Sequence, residues 1–121
     1  MRLATLKPPV AGTIDVSVVV LPGFAGGELG NVNRWRGQIG LPPIDDAARE
    51  KARQAVRSRA GEVSLYDFSG AADKKQRMLA ALLVANGRTW FFKAIGDDAA
   101  VATAKPDFLK LLESLHLEQG Q

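Results

Sequence analysis

The chain has no cysteine and a single histidine among its 121 residues. The missing thiol excludes disulfides, thiolate metal sites and a cysteine nucleophile. One imidazole without a thiol cannot supply the clustered ligands of a zinc site. A hydrolytic nucleophile would also lack an evident base. His116 stands between Leu115 and Leu117 at the end of the last helical pattern, where it reads as a helix C-terminal residue. Carboxylates do not converge in the sequence either. The pairs Asp45-Asp46 and Asp97-Asp98 fall at helix starts, where capping accounts for them, whereas a hard-metal site needs several carboxylates together. No metal or cofactor is implied.

Long apolar runs are missing as well. Nothing approaches the ~20 residues that span a bilayer, so no transmembrane segment is expected and the chain as given reads as soluble. The opening Met-Arg-Leu-Ala-Thr-Leu-Lys-Pro lacks the apolar stretch of a signal peptide. It reads as a strand, with Leu3 and Thr5 on one face and Ala4 and Leu6 on the other. A chain that begins inside a strand is expected to have a segment upstream of Met1.

What is present is an ordinary globular composition. Hydrophobic residues make up 46% and charged residues 24%, and the length fits one domain, 1–121, with a real core. The net charge of +3 is uneven: residues 1–60 hold nine Lys/Arg against five Asp/Glu, and residues 61–121 hold seven against eight. So small an excess reads as a solvated face. A nucleic-acid surface built on Arg49, Lys51, Arg53, Arg57 and Arg59 is the weaker reading, and its affinity should fall steeply with salt.

Periodicity gives the elements. A first strand spans 1–8 and turns at Pro8, Pro9 and Gly12. A second spans 13–21, with Ile14, Val16, Val18 and Val20 on one face and Asp15, Ser17 and Val19 on the other. Leu29, Val32, Trp35 and Ile39 recur at helical spacing, which predicts a helix over 28–38, and Gly40 with Pro42-Pro43 stops it. Asp45 or Asp46 caps a surface helix over about 46–57. A third strand covers 61–68, and a polar loop runs from Ser69 to Lys75. Gln76 to Val84 is ambiguous between helix and strand, but the Asn86-Gly87 that follows is a type I′ hairpin signal and favours a strand paired with 88–95. Asp97 caps a last helix whose stripe is Val101, Ala104, Phe108, Leu111, Leu112 and Leu115, with a kink or break expected at Pro106. Hairpins with inserted helices define an α+β domain, an antiparallel sheet of about five strands with helices packed on it.

The stretch 21–44 carries the candidate site. Five glycines precede Gln38, and a tryptophan stands between two arginines behind two asparagines. The loop Gly23–Gly30 lies between a strand and a helix, as phosphate cradles do. It matches neither Gly-x-Gly-x-x-Gly nor a Walker loop, and Glu28 would repel a phosphate. Trp35 shares the core face of its helix, so Arg34 and Arg36 point about 100° to either side of it. Asn31 is a natural N-cap, and Asn33 is placed to bond loop backbone. The arginines are either structural, bonding loop carbonyls, or functional, so that Asn31, Asn33, Arg34 and Arg36 form a patch for an anion or a partner. Trp90, Phe91 and Phe92 project to both faces of their strand, which requires cover on both faces or an exposed binding surface.

The segment Asn31-Val32-Asn33-Arg34-Trp35-Arg36-Gly37-Gln38-Ile39-Gly40-Leu41-Pro42-Pro43 resembles one found in an uncharacterised family of bacterial proteins. In that family it is followed by a Thr-Trp-Phe-Phe-Lys strand, here Thr89 to Lys93, and by a terminal Phe…Ser-Leu helix, here Phe108 to Leu115. The members are exported, often lipoprotein-like, and have no assigned activity. More loosely, the plan is similar to PsbP-like domains, which dock on other proteins without catalysis. The resemblance implies a periplasmic or membrane-anchored full-length protein and a non-enzymatic binding module. Its partner is expected to be another protein, or else a small anion. The alternative is a small-molecule or anion-binding enzyme that uses the Gly23–Gly30 loop and Arg34.

Overall fold

The computed structural model describes residues 2–6, 14–23, 27–70 and 76–115. The turn expected at Pro8, Pro9 and Gly12, the residues Phe24 to Gly26, most of the polar loop before Gln76, and His116 lie outside them. Two strands, β1 (Arg2–Leu6) and β2 (Ile14–Pro22), lead into two helices, α1 (Glu28–Gln38) and α2 (Asp46–Ala52). Four strands follow, β3 (Gln54–Ser58), β4 (Gly61–Ser69), β5 (Gln76–Ala85) and β6 (Arg88–Asp97), and α3 (Asp98–Glu113) closes the chain. The sheet has six strands in the order β1-β2-β6-β5-β4-β3, and every pair is antiparallel. The chain therefore crosses from β2 to the far edge through α1 and α2. It then returns as a four-strand meander that pairs β6 with β2.

Alternation sorts the side chains into two cores. Val63, Leu65, Leu79, Ala81, Phe92 and Ala94 meet Val101, Phe108 and Leu112 of α3 on one face. Tyr66, Phe68, Met78, Leu82 and Phe91 meet Val32, Trp35 and Ile39 of α1 on the other. Phe91 points to the α1 face, whereas Trp90 and Phe92 belong to the α3 face, so the three consecutive aromatics are covered on both sides. Burial on both faces also explains the Leu/Ala run of β5, six of whose residues are buried in succession. A strand covered on both faces shows no polar alternation.

The β5–β6 turn has Asn86 at φ 53° and Gly87 at φ 72°, the two positive values a type I′ turn requires. The end of β2 is tied to this hairpin: the Gly23 amide donates to the Gly87 carbonyl at 2.8 Å and the Thr89 hydroxyl to the Gly23 carbonyl at 2.6 Å.

Two expectations are corrected. The helix expected over about 46–57 stops at Ala52, because Arg53 turns extended and residues 54–58 pair with β4 from Gln54↔Leu65 to Ser58↔Gly61. The Ala, Arg and Lys content of this segment favours helix, but the open backbone of β4 offers a full ladder of hydrogen bonds, and tertiary pairing outweighs local propensity. At Pro106, α3 runs on without the break allowed for. Pro106 is exposed, and buried Val101, Ala104, Phe108 and Leu112 on either side of it hold both halves to the sheet.

An ion-pair cluster also fastens α3 to the interior strands of the sheet. Arg77 of β5 grips Asp67 of β4 with two bonds of 2.8 and 2.7 Å, and Lys105 of α3 reaches the same carboxylate at 2.7 Å. The Arg77 guanidinium, and then the Lys105 ammonium, hold the Asp67 carboxyl below its ordinary range against the opposing effect of burial.

Leu112 is fully buried, so Leu112→Ala should destabilise the fold by about 2–5 kcal/mol in urea unfolding. Asp67 favours its charged form in the folded state, so its contribution is complete above the ordinary carboxylate value of about 4 and is lost as pH falls through the lowered one. Urea midpoints measured from neutral to acid pH should fall below about pH 4, and Asp67→Asn should flatten that limb.

Candidate functional site

Trp35 is the pivot of α1. It is 3% exposed and packs edge-on to Phe91 at 6.0 Å and tilted to Tyr66 at 6.5 Å between ring centres. With Trp35 fixed over β6 and β4, the residues on either side of it emerge on opposite flanks. Arg36 lies on the β4 flank. Its Nε donates to the Pro42 carbonyl at 2.8 Å, and its guanidinium lies over the Phe68 ring at 5.3 Å. Arg34 lies on the other flank, exposed, beside β2 and β6. Among the described residues it makes no hydrogen bond or ion pair.

The two asparagines serve the fold. Asn33 forms a two-way bond with Ile44, its amide donating to the carbonyl at 3.0 Å and its oxygen accepting from the backbone N–H at 2.8 Å. It thereby clamps the α1–α2 connection. Asn31 is not the N-cap. That position falls to Gly27 at φ 84°, and Asn31 sits one turn inside the helix, 3% exposed, donating its amide to the Gly27 carbonyl at 2.6 Å. Glycine takes the cap because the chain must enter α1 with a positive φ that asparagine adopts less readily. Of the four candidate residues, then, Asn31, Asn33 and Arg36 bond the backbone of their own connection, and Arg34 alone faces outward into open space.

That space is a cavity of about 100 Å³ between α1, β2 and β6. Its apolar wall is Val19, Leu21, Trp35 and Phe91, and its polar groups are Ser17, Arg34, Gln38 and Lys93. The pairings Ser17↔Lys93 and Val19↔Phe91 place the strand residues side by side on one face. Gln38, at the end of α1, accepts a hydrogen bond from Lys93 at 3.2 Å. Among the described residues no carboxylate lines the cavity. Asp15, on the same face of β2 two residues before Ser17, is not part of the lining. The site is therefore an apolar floor with two cations at it, suited to hold an anionic group attached to an apolar body. Sequence reasoning found Arg34 but missed Ser17, Gln38 and Lys93. Their signal was polarity on a face otherwise apolar, since Ser17 precedes Val19 and Lys93 stands between Phe91 and Ile95 at alternate positions.

The opposite flank holds a second polar cluster that the sequence did not suggest. Tyr66, fully buried, donates its hydroxyl to Glu28. Arg49 of α2 reaches both, at 2.9 Å to Glu28 and 3.1 Å to Tyr66. It also pairs with Asp46 at 2.7 Å and Glu50 at 2.8 Å. Arg53 bonds the Ser64 hydroxyl at 2.7 Å and Glu62 at 2.6 Å. Two of the five basic residues considered for nucleic acid are thus matched by carboxylates of this chain. Glu28, from the glycine-rich loop, faces β4 and α2, while Arg34 faces β2 and β6. The two do not share a pocket.

No family model matches this chain, and no curated protein matches it. Among solved structures, a Pseudomonas aeruginosa protein of unknown function, PA94, described as a candidate regulator, has a similar fold. It aligns with a TM-score of 0.56 at 12% identity, over 95% of this chain and 82% of that one. At this identity the likeness is one of fold, and fold alone does not carry function. Among the described residues, no helix is long and apolar enough to cross a membrane.

Tyr66 is the one tyrosine of the chain. Burial, and then the bond to Glu28, push its hydroxyl up to about 12. The neutral form is favoured in the folded state, so the contribution is complete below the ordinary value of about 10 and is lost as pH rises through the raised one. Phenolate absorbance should therefore titrate near pH 12 in the native protein and near pH 10 in urea. Coincident curves would show that the hydroxyl is not held in this cluster.

Proposed function

We propose that this protein is a non-enzymatic docking module that binds another protein through the cavity between α1, β2 and β6. The observation that carries the reading is Arg34. Its three companions from the same segment bond their own backbone, while Arg34 stands exposed at an apolar cavity and bonds nothing among the described residues. Arg34 stands beside the partly exposed Val19 and Leu21, and arginine at an apolar patch is among the side chains that carry much of the binding energy of an interface. Ser17 is a hydroxyl of the lining, and among the described residues no carboxylate lines the cavity with it to act as a base.

The sequence resemblance adds an exported, lipoprotein-like setting and a PsbP-like plan to this proposal. The proposal reads the paired β1 and β2, the α1–α2 crossover bearing the asparagines, the antiparallel sheet and α3 as the elements of such a plan. The enzyme reading placed the Gly23–Gly30 loop and Arg34 in one pocket. The separate directions taken by Glu28 and Arg34 support the docking reading over it.

A photo-activated cross-linker at Gln38, on the cavity, should join a discrete partner in cells that make the protein. One at Arg57, on the exposed side of β3, should not. Adding Arg34→Glu to the Gln38 variant should abolish the product. The same product at both positions, or one that survives Arg34→Glu, would sink the reading.

A further inference from the structure

We infer that the cavity takes the carboxyl-terminal residue of a polypeptide, a free carboxylate carried on an aliphatic residue. The inference rests on the docking reading above and names what docks.

Size and charge together select this occupant. An apolar cavity of about 150 Å³ holds a benzene molecule, so the 100 Å³ here accepts one small aliphatic side chain. Arg34 and Lys93 line that same small space, so the anion and the apolar group must lie a few bonds apart. Within a chain they rarely do. Adjacent residues of an extended segment point to opposite sides, and residues two apart are separated by about 7 Å. A chain's last residue alone carries a carboxylate and a side chain on one Cα. Arginine is suited to this anion because its planar fork matches a carboxylate with two parallel bonds.

The other polar groups distinguish a polypeptide from a free small acid. Gln38 accepts from Lys93 through its oxygen, which leaves its amide N–H groups to donate to a peptide carbonyl. A simple aliphatic acid has no such carbonyl beyond its carboxylate. A free amino acid would bring an ammonium beside Arg34 and Lys93, where among the described residues no carboxylate lines the cavity to receive it. A peptide's last residue has an amide N–H in place of that ammonium.

The test uses an N-acetylated hexapeptide ending in Ala-Val-Leu as the free acid, the same peptide as its C-terminal amide, and 4-methylpentanoate. Affinity is read by calorimetry, and the position by amide chemical shifts. The free acid should bind and shift Arg34, Gln38 and Phe91. The amide should bind at least about tenfold more weakly, as expected for losing a charge-assisted bond. Arg34→Gln should weaken the acid by a similar factor while leaving the amide unchanged. Arg34 is exposed and bonds nothing among the described residues, so this variant keeps the fold. Val19→Glu, which places a carboxylate in the cavity, provides a second route to the same loss. Equal binding of acid and amide, or no shift at millimolar peptide, would overturn the inference. Binding of 4-methylpentanoate as tight as the peptide's would overturn the polypeptide source and assign a small acid instead. Each of these failures leaves the Gln38 cross-linking result standing, so the inference can fail without the docking reading failing.

Discussion

The packing of Trp35 sets the arrangement on which the rest of this molecule depends. Its ring is wedged between Phe91 of β6 and Tyr66 of β4, which fixes the roll of α1 about its own axis. Once the roll is fixed, helical geometry places Arg34 and Arg36 on opposite flanks. One arginine closes the connection to α2 by bonding Pro42 and stacking on Phe68. The other is turned to the strip of sheet that α1 leaves uncovered. A single buried aromatic thus separates two residues of like chemistry into a structural role and an exposed one.

The Glu28, Tyr66 and Arg49 cluster acts on the same arrangement from the other side. It joins the start of α1 to α2 and to the middle of β4, so the crossover is held at two points, one apolar and one ionic. A buried phenol must find a partner, and here it finds a carboxylate that itself needs a cation. Arg49 meets that need and is in turn surrounded by Asp46 and Glu50. The charges of Arg49 and Arg53 are absorbed in this way, whereas Arg34 keeps its positive charge beside an apolar surface.

Much of the fold was legible because its signals are local. The stop at Gly40 with Pro42-Pro43, the Asn86-Gly87 turn and the stripe of α3 each depend on residues within one or two turns of the chain. The helix over 28–38 was readable from the spacing of its apolar residues. What misled were places where a distant partner decides. Residues 54–58 carry helix-forming side chains, yet they pair with β4, which lies next to them only after the chain turns at Arg59 and Ala60. Pro106 is locally a helix breaker, yet core contacts before and after it keep α3 continuous. Asn31 has the chemistry of a cap, but the cap is chosen by the backbone angle at Gly27. In the site, Arg34 stood out by its company in the sequence. Lys93 and Ser17 did not, because they become neighbours of Arg34 only across the β2–β6 ladder.

The sequence by itself determined an α+β domain with an antiparallel sheet, the position of α1, and the fact that Trp35 is core while the arginines beside it are not. Those follow from periodicity and turn chemistry, which are properties of neighbouring residues. Only the tertiary structure decided which arginine is spent on the fold and which is left facing outward. It also decided that Glu28 belongs to Tyr66 rather than to a phosphate loop. Both outcomes depend on which strand lies under each flank of α1, and that depends on the meander returning β6 to pair with β2.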